Sequence, residues 1–200
     1  MKNQPNATIS AYNQYADQYS KKYKTLRYTK KYLDYFIDNA SGTTILDIGC
    51  GHGRDSFYLS DAGFDVTGID GSSEMISIAK QQISSCKFEC CLFKDIRYEQ
   101  NSFDNIWASA TLLHLTKIEF KAILSKIRKI LKPGGLFYLS MQEGEGEMMQ
   151  NVSVVEADRL FTRYNFSELE KVLNEAGFTI DTYERNDQHK VVIWLAIFAR

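Results

Sequence analysis

Short apolar runs alternate with longer amphipathic segments along most of this chain, and that alternation restricts its fold more than any other feature. Thr44 to Ile48, Val66 to Ile69, Phe88 to Phe93, Asn105 to Ala108 and Leu136 to Met141 read as strands, with helical patterns mostly between them. A strand, helix, strand order needs crossover connections, so the expected class is α/β with a mainly parallel sheet. At 200 residues and 44% hydrophobic, the chain has apolar area for one core and length for one domain spanning 1–200.

Boundary signals sharpen the expectation. Thr116-Lys117-Ile118-Glu119 is a capping box opening a helix with Phe120, Ile123, Leu124, Ile127 and Leu131 on one face, stopped by Pro133-Gly134-Gly135. Ser167 to Glu170 repeats the device, and Gly177 stands where a left-handed helix end is wanted. The last two predicted strands, Phe178 to Tyr183 and Val191 to Ala199, are joined by too few residues for a helical crossover and should pair antiparallel. A doubly wound, mostly parallel seven-stranded sheet with a reversed C-terminal strand accommodates that hairpin. Helices at about 8–39 precede the first strand, with Tyr12, Tyr15, Tyr19 and Tyr23 on one helical face that covers either a ligand or the sheet. The connection at about 142–166 is long enough to be read as a functional loop on the acceptor side.

Thr44 to Gly53 is a strand running into the glycine turn Gly49-Cys50-Gly51-His52-Gly53. The spacing departs from the dinucleotide fingerprint, since Arg54 occupies its third glycine position, and no Lys-Ser or Lys-Thr completes a P-loop. An acid follows each of the next two strands, Asp70 and Asp95. Neighbouring parallel strands bring their carboxyl ends to one sheet edge, so Asp47, Asp70 and Asp95 are expected along a single crevice. Asp70 is placed to accept ribose hydroxyls and Asp95 to read a base edge. A loop with Asp47 and no lysine suits a ligand bearing positive charge and no phosphate.

These residues resemble the class I S-adenosylmethionine-dependent methyltransferases, through LDIGCGHG, VTGID, KDI, FDNIWASATLLHL and LKPGG in that order, over about Tyr12 to the C-terminus. The resemblance implies a Rossmann-like methyltransferase fold, S-adenosylmethionine as cofactor and S-adenosylhomocysteine as product. It implies that Asp47 and the turn holding Gly49, Cys50, Gly51 and Arg54 grip the methionine end. Asp70 would hold the ribose, Asp95 with Ile96 the adenine, and Ser109 with Ala110 the sulfonium side, with Gly71 and Met75 in the same cofactor set. GCGHGRDS, WASATLLHL and RLFTRY look like a small bacterial, tellurite-resistance-related group. On the acceptor side, Tyr19, His114, Arg159 and Tyr164 are the candidate residues, with the 8–39 helices as a lid.

Each candidate has a plainer reading beside it. His114 is a general base or a packed, hydrogen-bonded histidine. Arg54, a cation at a helix start, contacts a carboxylate ligand or pairs with a surface acid. His52 reads as a turn position, His189 as solvated in the terminal hairpin, and Glu143 to Glu147 as a solvated hinge. Cys90 and Cys91 point to opposite faces of a strand, so no metal site is expected.

Twenty-four Lys and Arg against 25 Asp and Glu create no field for nucleic acid or anionic lipid. The longest apolar run, Val191 to Ala199, is about half of the roughly twenty residues of a membrane span. The start MKNQPNATIS lacks the apolar stretch of a secretion signal, so a soluble cytoplasmic protein is expected. The function expected is methyl transfer to a small-molecule nucleophile through N, O or S. A non-catalytic cofactor-binding module and an NAD(P)-dependent oxidoreductase are the rivals, the latter opposed by Arg54 and the terminal hairpin.

Overall fold

The computed structural model describes residues 7–152, 154–187 and 192–200. Three helices, α1 (Ala7–Gln14), α2 (Ala16–Lys22) and α3 (Lys30–Asn39), precede the sheet. Then follow β1 (Thr44–Ile48), α4 (Arg54–Asp61), β2 (Asp65–Asp70), α5 (Ser73–Gln82), β3 (Lys87–Cys90), β4 (Phe103–Ala108), α6 (Lys117–Ile130) and β5 (Leu131–Gln142). The chain closes with β6 (Glu147–Val152), β7 (Val155–Thr162), α7 (Phe166–Glu175), β8 (Ile180–Asn186) and β9 (Trp194–Ala199). Among the described residues no helix is long and apolar enough to cross a membrane.

Seven strands form one sheet in the order β3-β2-β1-β4-β5-β9-β8. The first five run parallel, and β9 is antiparallel to both β5 and β8. The order reverses between β1 and β4, which opens a crevice at their carboxyl ends. Side-chain alternation divides the core. Leu46, Ile106, Phe137 and Ile197 face α6 and α7, whereas Ile45, Trp107, Tyr138 and Phe198 face α3 and α4. The capping box at Thr116 forms as predicted, and the face it opens is buried.

Four expectations are corrected. The 142–166 connection is a two-stranded antiparallel ribbon of β6 and β7 rather than a loop. Its strands pair with each other, and outward-facing backbone groups find partners elsewhere, the Leu160 amide on Thr8 Oγ1 and the Leu160 carbonyl on His114 Nδ1. The cap of α7 is Asn165, whose side chain accepts from the Glu168 amide at 2.9 Å, not Ser167. β3 stops at Cys90, and Phe93 lies in the 3-10 turn Phe93–Asp95. α6 ends at Ile130, and Leu131, expected on its apolar face, already begins β5, with Lys132-Pro133-Gly134-Gly135 inside that strand. His189 lies outside the described residues, as does the first residue of the strand predicted from Val191.

Candidate active site

The turn after β1 is built from glycines with left-handed backbone: Gly49, Gly51 and Gly53 have φ of 71°, 55° and 84°. Only glycine takes this conformation without strain, and a Cβ on Gly49 would also overlap Thr111. A Cβ on Gly51 would meet nothing, so that backbone faces open space. Asp70, at the end of β2, accepts from the Gly51 amide at 3.0 Å and the Ser72 amide at 2.8 Å. Burial pushes its carboxyl up from the ordinary range against those two hydrogen bonds.

Asp47 is buried in β1 and accepts from Ser56 Oγ at 2.6 Å. Burial, with the nearby Asp55 charge, pushes its carboxyl up to about 8. His52 is buried in the turn, its Nε2 has no hydrogen-bond partner, and burial holds the imidazole down at about 4. Cys50 is buried, Met75 is buried in the first turn of α5 and Ile96 in the core. A Cβ on Gly71 would crowd Ile9 of α1 and Leu92. Asp95 is exposed in the turn after β3.

Beside this turn lies a cavity of about 400 Å³. Its floor is the α3-facing side of the sheet at the end of β5, where Tyr138, Ser140 and Gln142 project at every second residue, joined by Trp194 and Ala196 of β9. Its roof is aromatic: Tyr12, Tyr19 and Tyr23 from the N-terminal helices and the stretch after them, and Phe161 from β7. Ser109 and Ala110 stand at the rim after β4, and Ala110, at φ 51°, donates its amide to Ser140 Oγ at 2.7 Å.

His114 lines this cavity, with both ring nitrogens engaged. Nδ1 lies 2.6 Å from the Leu160 carbonyl oxygen, which can only accept, so Nδ1 carries the proton. Nε2 therefore accepts from Tyr12 Oη at 2.9 Å. Arg159 Nη1 donates to the same Tyr12 oxygen at 2.8 Å, and its guanidinium packs over the Tyr12 and Phe161 rings. Burial, reinforced by the Arg159 charge, holds His114 down at about 4 against the Leu160 hydrogen bond, so the ring is neutral. Tyr19 packs edge-on to Tyr12 with centroids 5.4 Å apart, and burial raises its hydroxyl pKa.

Six predicted residues thus converge on one cavity: Tyr19, Arg54, Ser109, Ala110, His114 and Arg159. Tyr164 does not join them. It is buried against Phe120 on the α6 side, under the Lys117 ammonium, because the chain leaves β7 at Thr162 and crosses toward α7. Arg54 pairs not with a surface acid but with the buried Asp55, at 2.7 Å. Tyr12, Tyr138, Phe161 and Trp194 escaped sequence reasoning as site residues. For Tyr12 a signal existed, its place on the tyrosine face with Tyr19, but nothing local distinguished the two. Among the described residues no cluster of His, Cys, Asp and Glu is arranged to hold a metal.

Residues 45–135 match a family described as a methyltransferase domain. The chain is 32% identical over 155 residues to phosphoethanolamine N-methyltransferase 2 of Caenorhabditis elegans, an alignment covering 74% of this chain and 35% of that protein. It is 30% identical over 167 residues to phosphoethanolamine N-methyltransferase 1 of Triticum aestivum, covering 80% and 33%. The chain therefore spans about a third of the length of these curated relatives. In fold it is similar to the Burkholderia thailandensis 1,6-didemethyltoxoflavin-N1-methyltransferase solved with 1,6-didemethyltoxoflavin and S-adenosylhomocysteine. The TM-score is 0.75 at 23% identity, over 96% of this chain and 84% of that one.

Proposed function

This chain carries a methyltransferase domain and belongs to the class I S-adenosylmethionine-dependent methyltransferases, and from that premise we propose that it methylates a small-molecule nucleophile seated in the aromatic cavity. The observation that carries the proposal is the hydrogen-bonded set Arg159, Tyr12 and His114 on the cavity wall beside the glycine turn. An amine nitrogen on an anionic molecule is the first candidate acceptor. The relatives named for phosphoethanolamine favour it, as do two guanidiniums and no carboxylate among the described lining residues.

Features of this chain fit the methyl donor. The left-handed Gly51 leaves backbone facing open space, and the buried His52 Nε2 lacks a partner that a bound polar group would supply. In this reading Asp47, Gly49, Cys50, Gly51 and Arg54 surround the methionine end. Asp70, with Gly71 and Met75 behind it, receives the ribose hydroxyls, Asp95 and Ile96 flank the adenine, and Ser109 and Ala110 border the sulfonium. S-adenosylmethionine supplies an electrophilic methyl on a sulfonium sulfur, displaced in line by the acceptor.

What the protein contributes is mainly orientation in a space with little water. Tyr12 Oη gives its proton to His114 Nε2 and one lone pair to Arg159, which leaves one lone pair to accept from an incoming N–H or O–H. Nδ1 of His114, tied to Leu160, stops the ring from turning away. His114 is too weak a base, at about 4, to strip a proton from a resting amine. Its work is to hold the Tyr12 oxygen where the acceptor must meet it.

The test is formation of S-adenosylhomocysteine by the purified chain given S-adenosylmethionine with phosphoethanolamine, a phenol or a thiol. Acceptor-dependent product is expected with one of them. Tyr12→Phe should cut that turnover by about tenfold or more while S-adenosylhomocysteine affinity is kept. No calorimetric binding of S-adenosylhomocysteine to the native chain would remove the proposal.

A further inference from the structure

Asp55, in the first turn of α4, does not line the cavity, yet it touches what does. It is 6% exposed. Its Oδ1 accepts from Arg54 Nε at 2.7 Å and from Thr29 Oγ1 at 3.4 Å; its Oδ2 accepts from Trp107 Nε1 at 3.1 Å. Both carboxylate oxygens are therefore used, by donors from three separate parts of the chain.

Each donor leads to the cavity. With Nε fixed on Asp55, Arg54 Nη1 donates to the carbonyl oxygens of Tyr23 and Thr25 at 3.2 and 3.5 Å. Those residues belong to the 23–29 connection between α2 and α3, which supplies Tyr23, Tyr28 and Thr29 to the cavity rim. Trp107 stacks on Tyr138 of the floor, ring centroids 3.9 Å apart and 14° from coplanar. One buried carboxylate thus joins the rim to the floor. A planar guanidinium suits this role because its nitrogens point in fixed directions, so locking Nε also aims Nη1.

We infer that Asp55 is a positioning residue that, through Arg54, holds the 23–29 connection closed over the cavity. That this cavity takes the methyl acceptor rests on the function proposed above; the latch itself does not. Opening the connection exposes the cavity from the side of Tyr23 and Tyr28, and closing it excludes water.

Lys24 and Arg27 are exposed within the connection and give trypsin two places to report its opening. In Asp55→Asn, one amide oxygen cannot serve both the Arg54 and Trp107 donors, and cleavage after Lys24 and Arg27 should accelerate about tenfold or more. Arg54→Gln keeps the Asp55 bond to Trp107 but loses the reach to the carbonyl oxygens, and should give the same acceleration. The two variants part spectroscopically. With Trp194→Phe as background, Trp107 becomes the sole tryptophan. Its emission should shift in Asp55→Asn and stay unchanged in Arg54→Gln. Unchanged cleavage in either folded variant would overturn the inference, as would equal acceleration after Lys171 in α7, which would mean general loosening. Should Asp55→Asn fail to fold, Arg54→Gln decides by itself. Because proteolysis needs no acceptor, a negative turnover assay would remove the proposed reaction and leave this result standing.

Discussion

His114 shows how much of this site depends on one proton. With Nδ1–H on Leu160 and Nε2 accepting from Tyr12, the neutral ring satisfies both neighbours, whereas a protonated ring would turn Nε2 into a donor facing the Tyr12 O–H, beside the Arg159 cation. Burial lowers its pKa from 6.5 to about 4. The folded protein then binds fewer protons at this site than the unfolded chain as pH falls below 6.5. Its contribution is complete above that value and is lost progressively down to about 4, a loss of about 3 kcal/mol. His52, also held at about 4, acts in the same direction, whereas Asp47 and Asp70, both raised, favour the folded state as pH falls. A difference measurement isolates His114. Urea unfolding of the native protein and of His114→Gln, whose amide accepts and donates but takes no proton, should diverge between pH 7 and pH 4.5, the native protein losing more. Parallel curves would assign the titration to another group.

At the scale of elements, α1 is the part whose existence depends most on the rest of the molecule. Eight residues are too few for a stable isolated helix, so its contacts must hold it. Thr8 Oγ1 accepts the Leu160 amide and Tyr12 meets His114 and Arg159, while Tyr15, just past the helix, donates its Oη to the Glu156 carbonyl, all on the β7 side or the cavity wall. Asn13 secures the other side, its Oδ1 accepting from Ser72 Oγ at 2.7 Å and from the Glu74 amide at 3.3 Å. The helix thus bridges the turn after β2 and the β6–β7 ribbon, lying over the stretch that follows Asp70. Asn13→Ala removes two accepted hydrogen bonds and should raise amide exchange in Ala11–Gln14 about tenfold, the factor equivalent to roughly 1.4 kcal/mol. Association of S-adenosylhomocysteine should quicken in the same variant, read by stopped flow. Unaltered exchange would mean that the contacts to β7 alone hold α1.

For the molecule as a whole, the glycine turn, Asp70 and α1 come from separate parts of the chain, so a ligand binding among them stabilises the global fold. S-adenosylhomocysteine at a hundred times its dissociation constant should add about 2.7 kcal/mol, or roughly 5–10 °C in melting temperature. Asp70→Ala should weaken its binding by about 1 to 3 kcal/mol through lost ribose hydrogen bonds, which at the same concentration lowers that rise by between about a third and about nine-tenths. An equal rise in both proteins would take Asp70 out of the binding site. The order of strands and helices, the reversed last strand, the α6 capping box and the glycine turn with its acids were all legible in the sequence, because periodicity, caps and left-handed glycines act within a few residues. The β6–β7 ribbon was not legible, since its strands carry no regular alternation and pair only with each other. Nor was the choice of Tyr12 beside Tyr19, the displacement of Tyr164 into the core, or the reach of Asp55 to Thr29 and Trp107. Tyr12 meets His114 across 102 positions and Arg159 across 147. Contacts at such separations depend on how finished elements pack, and packing is a property of the assembled sheet and its covering helices, not of any local stretch of residues.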